Sequence, residues 1–171
     1  MKNTRKSLVT AMIACAFTTA SFAQASATAT ATAVIVTPIA ITKTADMNFG
    51  NVAVSATAGT VVLTPAGGRT ATGGVTLPAS AGTVAAASFS VSGTGSYTYS
   101  ITLPGTNLVL TRNTGTETMN VNAFTSAPSG TGALTAGAQT LTVGATLNVA
   151  GSQVAGTYVS GTPFTVTVNY N

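Results

Sequence analysis

The amino-acid sequence predicts an all-β domain built as a sandwich or a barrel. Val, Thr, Ile, Tyr and Phe fill the apolar runs, and Gly, Ser, Asn and Pro separate these runs at short intervals. No run places apolar residues at helical spacing opposite a charged face. Only 5% of the 171 residues are charged, whereas globular domains carry about 25%. Thr and Ser are therefore expected to cover the solvent side of the sheets.

Residues 1–23 are predicted to be a secretory signal peptide. The first six residues carry three positive charges, residues 8–17 are mostly apolar, and Ala23 is a small residue of the kind that precedes a cleavage site. The apolar stretch is too short to span a bilayer, which needs about 20 residues. We expect a product that begins at Gln24, leaves by a Sec-type route to the periplasm and then the cell surface, and has no membrane span.

Cys15 is the single cysteine of the sequence and lies inside this leader. It could be a lipoprotein cysteine, but Met12 is a poor residue three positions before one, and lipidation would cut the apolar run short. Discarded with the leader, it leaves a chain without any disulfide. The core and the strand ladders must then supply the stability.

The remaining chain is nearly neutral. Its charges are Lys43, Arg69 and Arg112 against Asp46 and Glu117, which gives a net charge of +1. The high isoelectric point therefore belongs to the leader. No basic patch remains to bind phosphates, so nucleic acid is not an expected partner.

The strands are expected in sequence after an Ala-rich extension. Residues 24–32 alternate Ala with Ser or Thr, either as a disordered tail or as a strand that orders conditionally. Residues 33–42 form a β-branched run in which Pro38 marks an edge, a bulge or a break. Further strands are predicted at 60–63, 74–77, 88–92, 96–103, 108–111, 118–124, 139–143, 146–150 and 163–170.

Alternation predicts which side chains of two strands face a core. The first set is Tyr97, Tyr99, Ile101 and Leu103. The second set, on the C-terminal strand, is Phe164, Val166, Val168 and Tyr170. No low-apolar linker divides the chain, so residues 38–171 are expected to form one β-sandwich domain that follows the signal peptide (1–23) and the extension (24–37).

Seven motifs in a fixed order resemble one family. They lie at residues 39–43, 47–50, 89–93, 118–121, 143–147, 156–158 and 164–170. Together they are similar to secreted bacterial proteins catalogued as domain of unknown function 4402. More distantly, the chain resembles the subunits of chaperone–usher fimbriae and spore-coat-U-like pilins.

This resemblance implies an immunoglobulin-like antiparallel sandwich that lacks its last strand. In such pilins a periplasmic chaperone fills the groove, and the N-terminal extension of the next subunit replaces it at an outer-membrane usher. The implied partners are therefore other copies of this chain, a chaperone and an usher. The candidate donor strand lies in residues 24–37, with one face made by Ala29, Ala31, Ala33 and Ile35. Two features depart from the pilins: the disulfide of many pilins is missing, and the extension is rich in Ala.

The physical chemistry of exposed sheet edges also favours assembly of the chain into a polymer. A missing strand exposes unpaired N–H and C=O groups that template another strand. Proteins usually protect such edges with charge, and this chain has little. The alternative is a self-contained surface sandwich that binds a carbohydrate or host ligand. Pairing of residues 24–37 within their own sheet would favour that binding module.

An enzyme is not expected, because acid–base catalysis needs a titrating group at the substrate. The chain after the leader has no His or Cys, and Asp46 and Glu117 are far apart in sequence. They are interpreted as a turn or cap residue and a solvated residue at a strand start, and Lys43 as a residue on an exposed strand face. No catalytic residue, cofactor or metal site is predicted, and a calcium site is weakly supported by two separated acids.

Two sharper hypotheses concern specific side chains. Lys43, Glu117 and either Asn120 or Asn122 are types that form an intramolecular isopeptide bond when buried together. Tyr97 and Tyr99 could stack on a sugar, although core packing is favoured for both because Ile101 and Leu103 continue their face.

Overall fold

A computed structural model describes residues 23–171 of the protein. The predicted signal peptide, including Cys15, lies outside the described residues except for Ala23. The described part contains eleven strands and no helix. The strands are β1 (Ala40–Ala45), β2 (Ala53–Leu63), β3 (Arg69–Thr76), β4 (Ala87–Ser92), β5 (Thr98–Thr102), β6 (Leu108–Arg112), β7 (Thr118–Ala127), β8 (Thr131–Ala133), β9 (Ala138–Val149), β10 (Tyr158–Ser160) and β11 (Thr167–Tyr170).

The strands form two antiparallel sheets, and the predicted all-β sandwich is confirmed. The large sheet has the order β1-β4-β9-β7-β6-β10, and β2 joins it beside β9 with β3 on its outer side. The small sheet has the order β11-β5-β8. Every ladder is antiparallel. The first and last strands of the domain, β1 and β11, are therefore edge strands of different sheets.

The central strand β9 carries two neighbours on one side. Its residues Ala138–Val143 pair with β4, and its residues Ala145–Val149 pair with β2. Gly144 lies between these ladders, and a Cβ there would meet the backbone of Leu63 and Thr64 at the end of β2. Only a residue without a side chain lets β2 end this close to β9.

Two apolar cores follow from this branching. The first core lies around β4, β5, the first half of β9 and the C-terminal strand, with Val91, Tyr99, Leu141 and Val143 almost fully buried. The second core lies around β2, β3, β7 and the second half of β9. The solvent side of the large sheet carries Ser, Thr and Asn, as predicted, for example along the row Thr60–Asn148–Asn120.

The structure corrects several predicted elements. The predicted strands 139–143 and 146–150 merge into the single strand β9, which ends at Val149, because Gly144 permits a close approach without interrupting the ladder. The run 33–42 contributes a strand only from Ala40 onward, so Pro38 marks a break. The short strands β8 and β10 were not predicted, since their sequences carry little β-branched character. In the C-terminal prediction, only Thr167–Tyr170 form a ladder.

Candidate strand-pairing edge

The last strand leaves one side open. Among the described strands, β11 pairs only with β5, with Thr167 opposite Thr102 and Tyr170 opposite Tyr99. On its other side it comes close to β1, the edge strand of the large sheet, but no ladder joins the two. The sandwich therefore has a seam between β1 and β11, at the position where a further strand would extend the small sheet.

The alternation of the β5–β11 ladder determines which backbone groups lie on this open side. The amide of Asn171 donates to the carbonyl of Thr98 (3.3 Å), which marks that pair as hydrogen-bonded. In an antiparallel ladder, hydrogen-bonded and non-hydrogen-bonded pairs alternate. The N–H and C=O groups of Val168 and Tyr170 therefore point away from β5, toward the seam. These groups can accept the backbone of an added strand.

The C-terminal segment buries one face, as its alternation predicts. Val166 and Val168 are buried with 7% exposure each, and Phe164 and Tyr170 are partly buried against the same first core. Thr165, Thr167 and Asn169 are exposed. All four apolar residues therefore lie against the first core, while the residues between them are exposed.

The rim of the seam is apolar and incompletely covered. Ile39 and Ile41 on the β1 side and Phe164 and Tyr170 on the β11 side are only partly buried. By contrast, Val91 and Leu141 on the inner strands β4 and β9 are completely buried. An added strand with small or branched apolar side chains would complete the cover on this side of the first core.

Residues 23–39 belong to none of the described strands. The four candidate donor residues, Ala29, Ala31, Ala33 and Ile35, are all exposed, and Ile35 is 97% exposed. Val34, at 83% exposure, is a second large apolar side chain in solvent directly beside Ile35. Residues 24–37 therefore add no strand to the sheets of their own chain.

The extension is tied to the domain at its root by a hydrogen-bond cluster, which we name the Tyr170 latch. The Tyr170 hydroxyl donates to the carbonyl of Thr37 (3.0 Å) and accepts from the amide of Thr94 (2.8 Å). The hydroxyl of Thr94 accepts from the amide of Thr37 (2.7 Å). Gly93 makes room for this arrangement, since a Cβ there would meet the Tyr170 hydroxyl.

The two tyrosines predicted to share one face of β5, Tyr97 and Tyr99, differ in burial. Tyr99 is fully buried, and its hydroxyl donates to Gln139 Oε1 (2.7 Å). Burial raises the pKa of Tyr99, which keeps the phenol neutral. The core prediction is wrong for Tyr97, which is 47% exposed and packs on the Tyr170 ring at 5.5 Å. The reason is that β5 begins at Thr98, so the alternation does not reach Tyr97.

Four of the five charged side chains among the described residues form two local ion pairs. Lys43, on an exposed face of β1 as predicted, contacts Asp46 at 2.6 Å just beyond that strand. Arg112 holds Glu117 through two hydrogen bonds, Nε to Oε2 (2.7 Å) and Nη2 to Oε1 (3.1 Å). These hydrogen bonds from Arg112 lower the pKa of Glu117, so its carboxylate stays ionised.

The isopeptide hypothesis is wrong. Lys43 lies on β1, whereas Asn120 and Asn122 lie on β7, with β4 and β9 between them in the sheet. The Asn122 amide oxygen accepts from Asn148 (3.0 Å) instead. Glu117 is paired with Arg112, and Lys43 is paired with Asp46.

Two shallow depressions lie on the domain. One, of about 350 Å³, is lined by Pro104, Thr106, Asn107, Leu108 and residues 162–165. The other, of about 470 Å³, lies on the polar face around Thr60, Asn120 and Asn148. Within residues 23–171, no three His, Cys, Asp or Glu side chains come together as a metal site. No helix in this part of the chain is long and apolar enough to cross a membrane.

A family model described as a domain of unknown function (DUF4402) matches residues 39–170, which spans every described strand. No curated protein and no solved structure matches the chain.

Proposed function

The chain belongs to the DUF4402 family, and we propose that it is an exported structural subunit that assembles into a surface filament. In this proposal each copy donates residues 24–37 as a strand to the seam between β1 and β11 of a neighbouring copy. One observation carries the proposal: the same chain has both an open edge and a free strand-like segment. The edge is at β11 and has an apolar rim. The segment is the exposed extension, which forms no strand in the sheets of its own chain.

The chemistry of donor and acceptor is complementary. The seam offers main-chain groups of Val168 and Tyr170 and the rim side chains Ile39, Ile41 and Phe164. An added strand presents alternate side chains to such a rim. Ile35 would fill the largest part of it, and burying an Ile side chain stabilises by roughly 1.5–3 kcal/mol. Because Ala29, Ala31 and Ala33 are small, main-chain hydrogen bonds would contribute the remaining binding free energy.

The proposal also covers how the subunit is exported and how its open edge is protected before assembly. A Sec-type signal over residues 1–23 would deliver the chain to the periplasm and then to the cell surface. An open edge in a nearly neutral protein is prone to uncontrolled pairing. We therefore expect a periplasmic chaperone to cover the seam and an outer-membrane usher to mediate exchange.

We propose no catalytic role for this chain. General acid–base chemistry needs a titrating side chain held at the substrate, and His, which most often fills this role, is absent from the sequence. Glu117 has a lowered pKa because Arg112 holds it, and Asp46 is engaged with Lys43 at the surface. Each acid has a structural partner within a few residues of its own position.

The test compares filament yield with subunit level. Deletion of residues 24–37 should abolish filaments seen by negative-stain microscopy while the exported subunit persists on an immunoblot. Ile35→Asp should reduce filament yield more than the matched control Thr32→Asp, because alternation places residue 32 on the opposite face. Normal filaments from the deletion variant would defeat the proposal.

A second function has one observation in its favour. The outer face of the large sheet is free of charged side chains along the row Thr60–Asn148–Asn120, and the depression of about 470 Å³ lies on it. Amide and hydroxyl groups without charge suit a neutral carbohydrate. Binding of soluble glycans by the 24–37 deletion variant would favour this self-contained binding module.

A further inference from the structure

The structure gives the domain two distinguishable ends. β4 ends at Ser92 and β5 begins at Thr98, so the turn between them marks one end, which we call the latch end. β1 is antiparallel to β4 and starts there, and β11 is antiparallel to β5 and finishes there. The Tyr170 latch fixes Thr37 at this end. Each subunit's own extension therefore leaves from its latch end.

The opposite end carries the approach to the acceptor strand. β5 finishes at Thr102, and residues 162–165 lead into β11. Residues 162–165 line the depression of about 350 Å³ together with Pro104, Thr106, Asn107 and Leu108, which follow β5 in the chain. The first half of the C-terminal segment, including the rim residue Phe164, therefore lies at the far end from the latch.

The direction of a donated strand decides which ends of two subunits meet. A strand antiparallel to β11 enters with its N-terminal residues near the acceptor's latch end and finishes near residues 162–165. A parallel strand would finish at the acceptor's latch end, where the acceptor's own extension already leaves. Antiparallel pairing avoids this crowding and is slightly more stable per residue.

The latch also limits the distance between the two subunits. Ile35, the largest side chain of the donor face, lies two residues before the latched Thr37. Two extended residues span about 7 Å. When Ile35 enters the acceptor's seam, the donor's latch end must therefore touch the acceptor's far end.

We propose that the latch end of one copy docks on the far end of the next, with Tyr97 of the donor contacting the depression around Pro104 and Phe164. This inference rests on the proposed function and specifies the subunit interface. Tyr97 is 47% exposed and is held against the Tyr170 ring, so an aromatic surface is presented in a fixed position. The depression offers Pro104, Pro163 and Phe164 as apolar partners and no charged group. The occupant is a second copy of this chain.

The test is disulfide trapping in isolated filaments. Ser96 and Thr162 are exposed residues at the latch end and the far end. The double variant Ser96→Cys/Thr162→Cys should give a ladder of covalently linked subunits on a non-reducing gel. The control Ser96→Cys/Thr111→Cys should give at least tenfold less, because Thr111 is exposed on β6 and does not line the depression.

The single variant Ser96→Cys distinguishes the two strand directions. Linked dimers from this variant alone would mean that latch ends meet each other, as in parallel exchange, and would overturn the inference while leaving filament assembly intact. Filaments without any ladder from Ser96→Cys/Thr162→Cys would overturn it as well. A failure of the proposed function would be different, since the unmodified chain would then form no filaments.

The latch itself has a separate test. Tyr170→Phe removes the hydroxyl that bonds Thr37 and Thr94 and retains the ring that packs on Tyr97. We expect the Ser96–Thr162 cross-link yield to fall several-fold at unchanged subunit level. Tyr158→Phe is the matched control, because the Tyr158 hydroxyl serves a local loop through the carbonyl of Val154 (2.6 Å). Equal cross-linking in both variants would contradict the positioning role of Tyr170.

Discussion

Replacement of Val166 by Asp should unfold the protein, whereas the same change at Thr165 should be mild. Val166 is 7% exposed in the first core, beside Val168, and Thr165 is exposed. Loss of the buried Val side chain removes roughly 1.5–3 kcal/mol. An unpaired carboxylate in its place costs several kcal/mol more, part of which would appear as a raised pKa of the new Asp.

The lost burial of Val166 and the cost of the buried carboxylate together approach the whole stability of a typical domain, about 5–15 kcal/mol. Thr165→Asp should change the free energy of unfolding by no more than about 0.5 kcal/mol. Val166→Ala provides an intermediate step, with a loss of about 2 kcal/mol from two missing methyl groups and the cavity they leave. Urea unfolding followed by circular dichroism measures all three. Equal destabilisation by Asp at positions 165 and 166 would refute the assignment of the faces.

Three further predictions concern other parts of the chain. Gly144→Ala should destabilise the subunit by about 1–3 kcal/mol because the new methyl meets the backbone of β2, whereas Gly105→Ala, with open space around it, should be nearly neutral; equal urea midpoints would contradict the branching account. The hydrogen bonds from Arg112 lower the pKa of Glu117. The stabilisation by this ion pair should therefore be present above about pH 4.3, the ordinary pKa of Glu, and disappear as the pH falls through the lowered pKa. Glu117→Gln should remove this part of the pH dependence of unfolding, and an unchanged pH dependence would contradict the stabilising role of the pair. N-terminal sequencing of the exported protein should begin at Gln24, and a lipid-modified start at Cys15 would show the cleavage prediction to be wrong.

The fold class was predictable because composition and alternation act locally. Period-two geometry alone predicts one face for Phe164, Val166, Val168 and Tyr170, and all four pack against the first core. The joining of two predicted strands into β9 was not predictable, because it depends on β2 ending beside Gly144, a contact far away in sequence. Tyr97 was misplaced for a similar reason: the start of β5 is set by the turn that follows β4.

The candidate edge was only partly predictable. The extension and the final strand were identified from the residues and from the family resemblance, but the Tyr170 latch was not predicted. Its three partners come from separate segments, at Thr37, Thr94 and Tyr170, and the contact depends on the fold bringing them together. A Gly at position 93 was the single local signal, since it marks a close approach.

The most direct test of the account is a density map of the native filament at a resolution that shows side chains. The account predicts that residues 24–37 of one copy lie antiparallel to Thr167–Tyr170 of the next, with Ile35 in the seam between β1 and β11. A filament in which the β11 edge is unpaired, or is paired with the extension of its own chain, would contradict it.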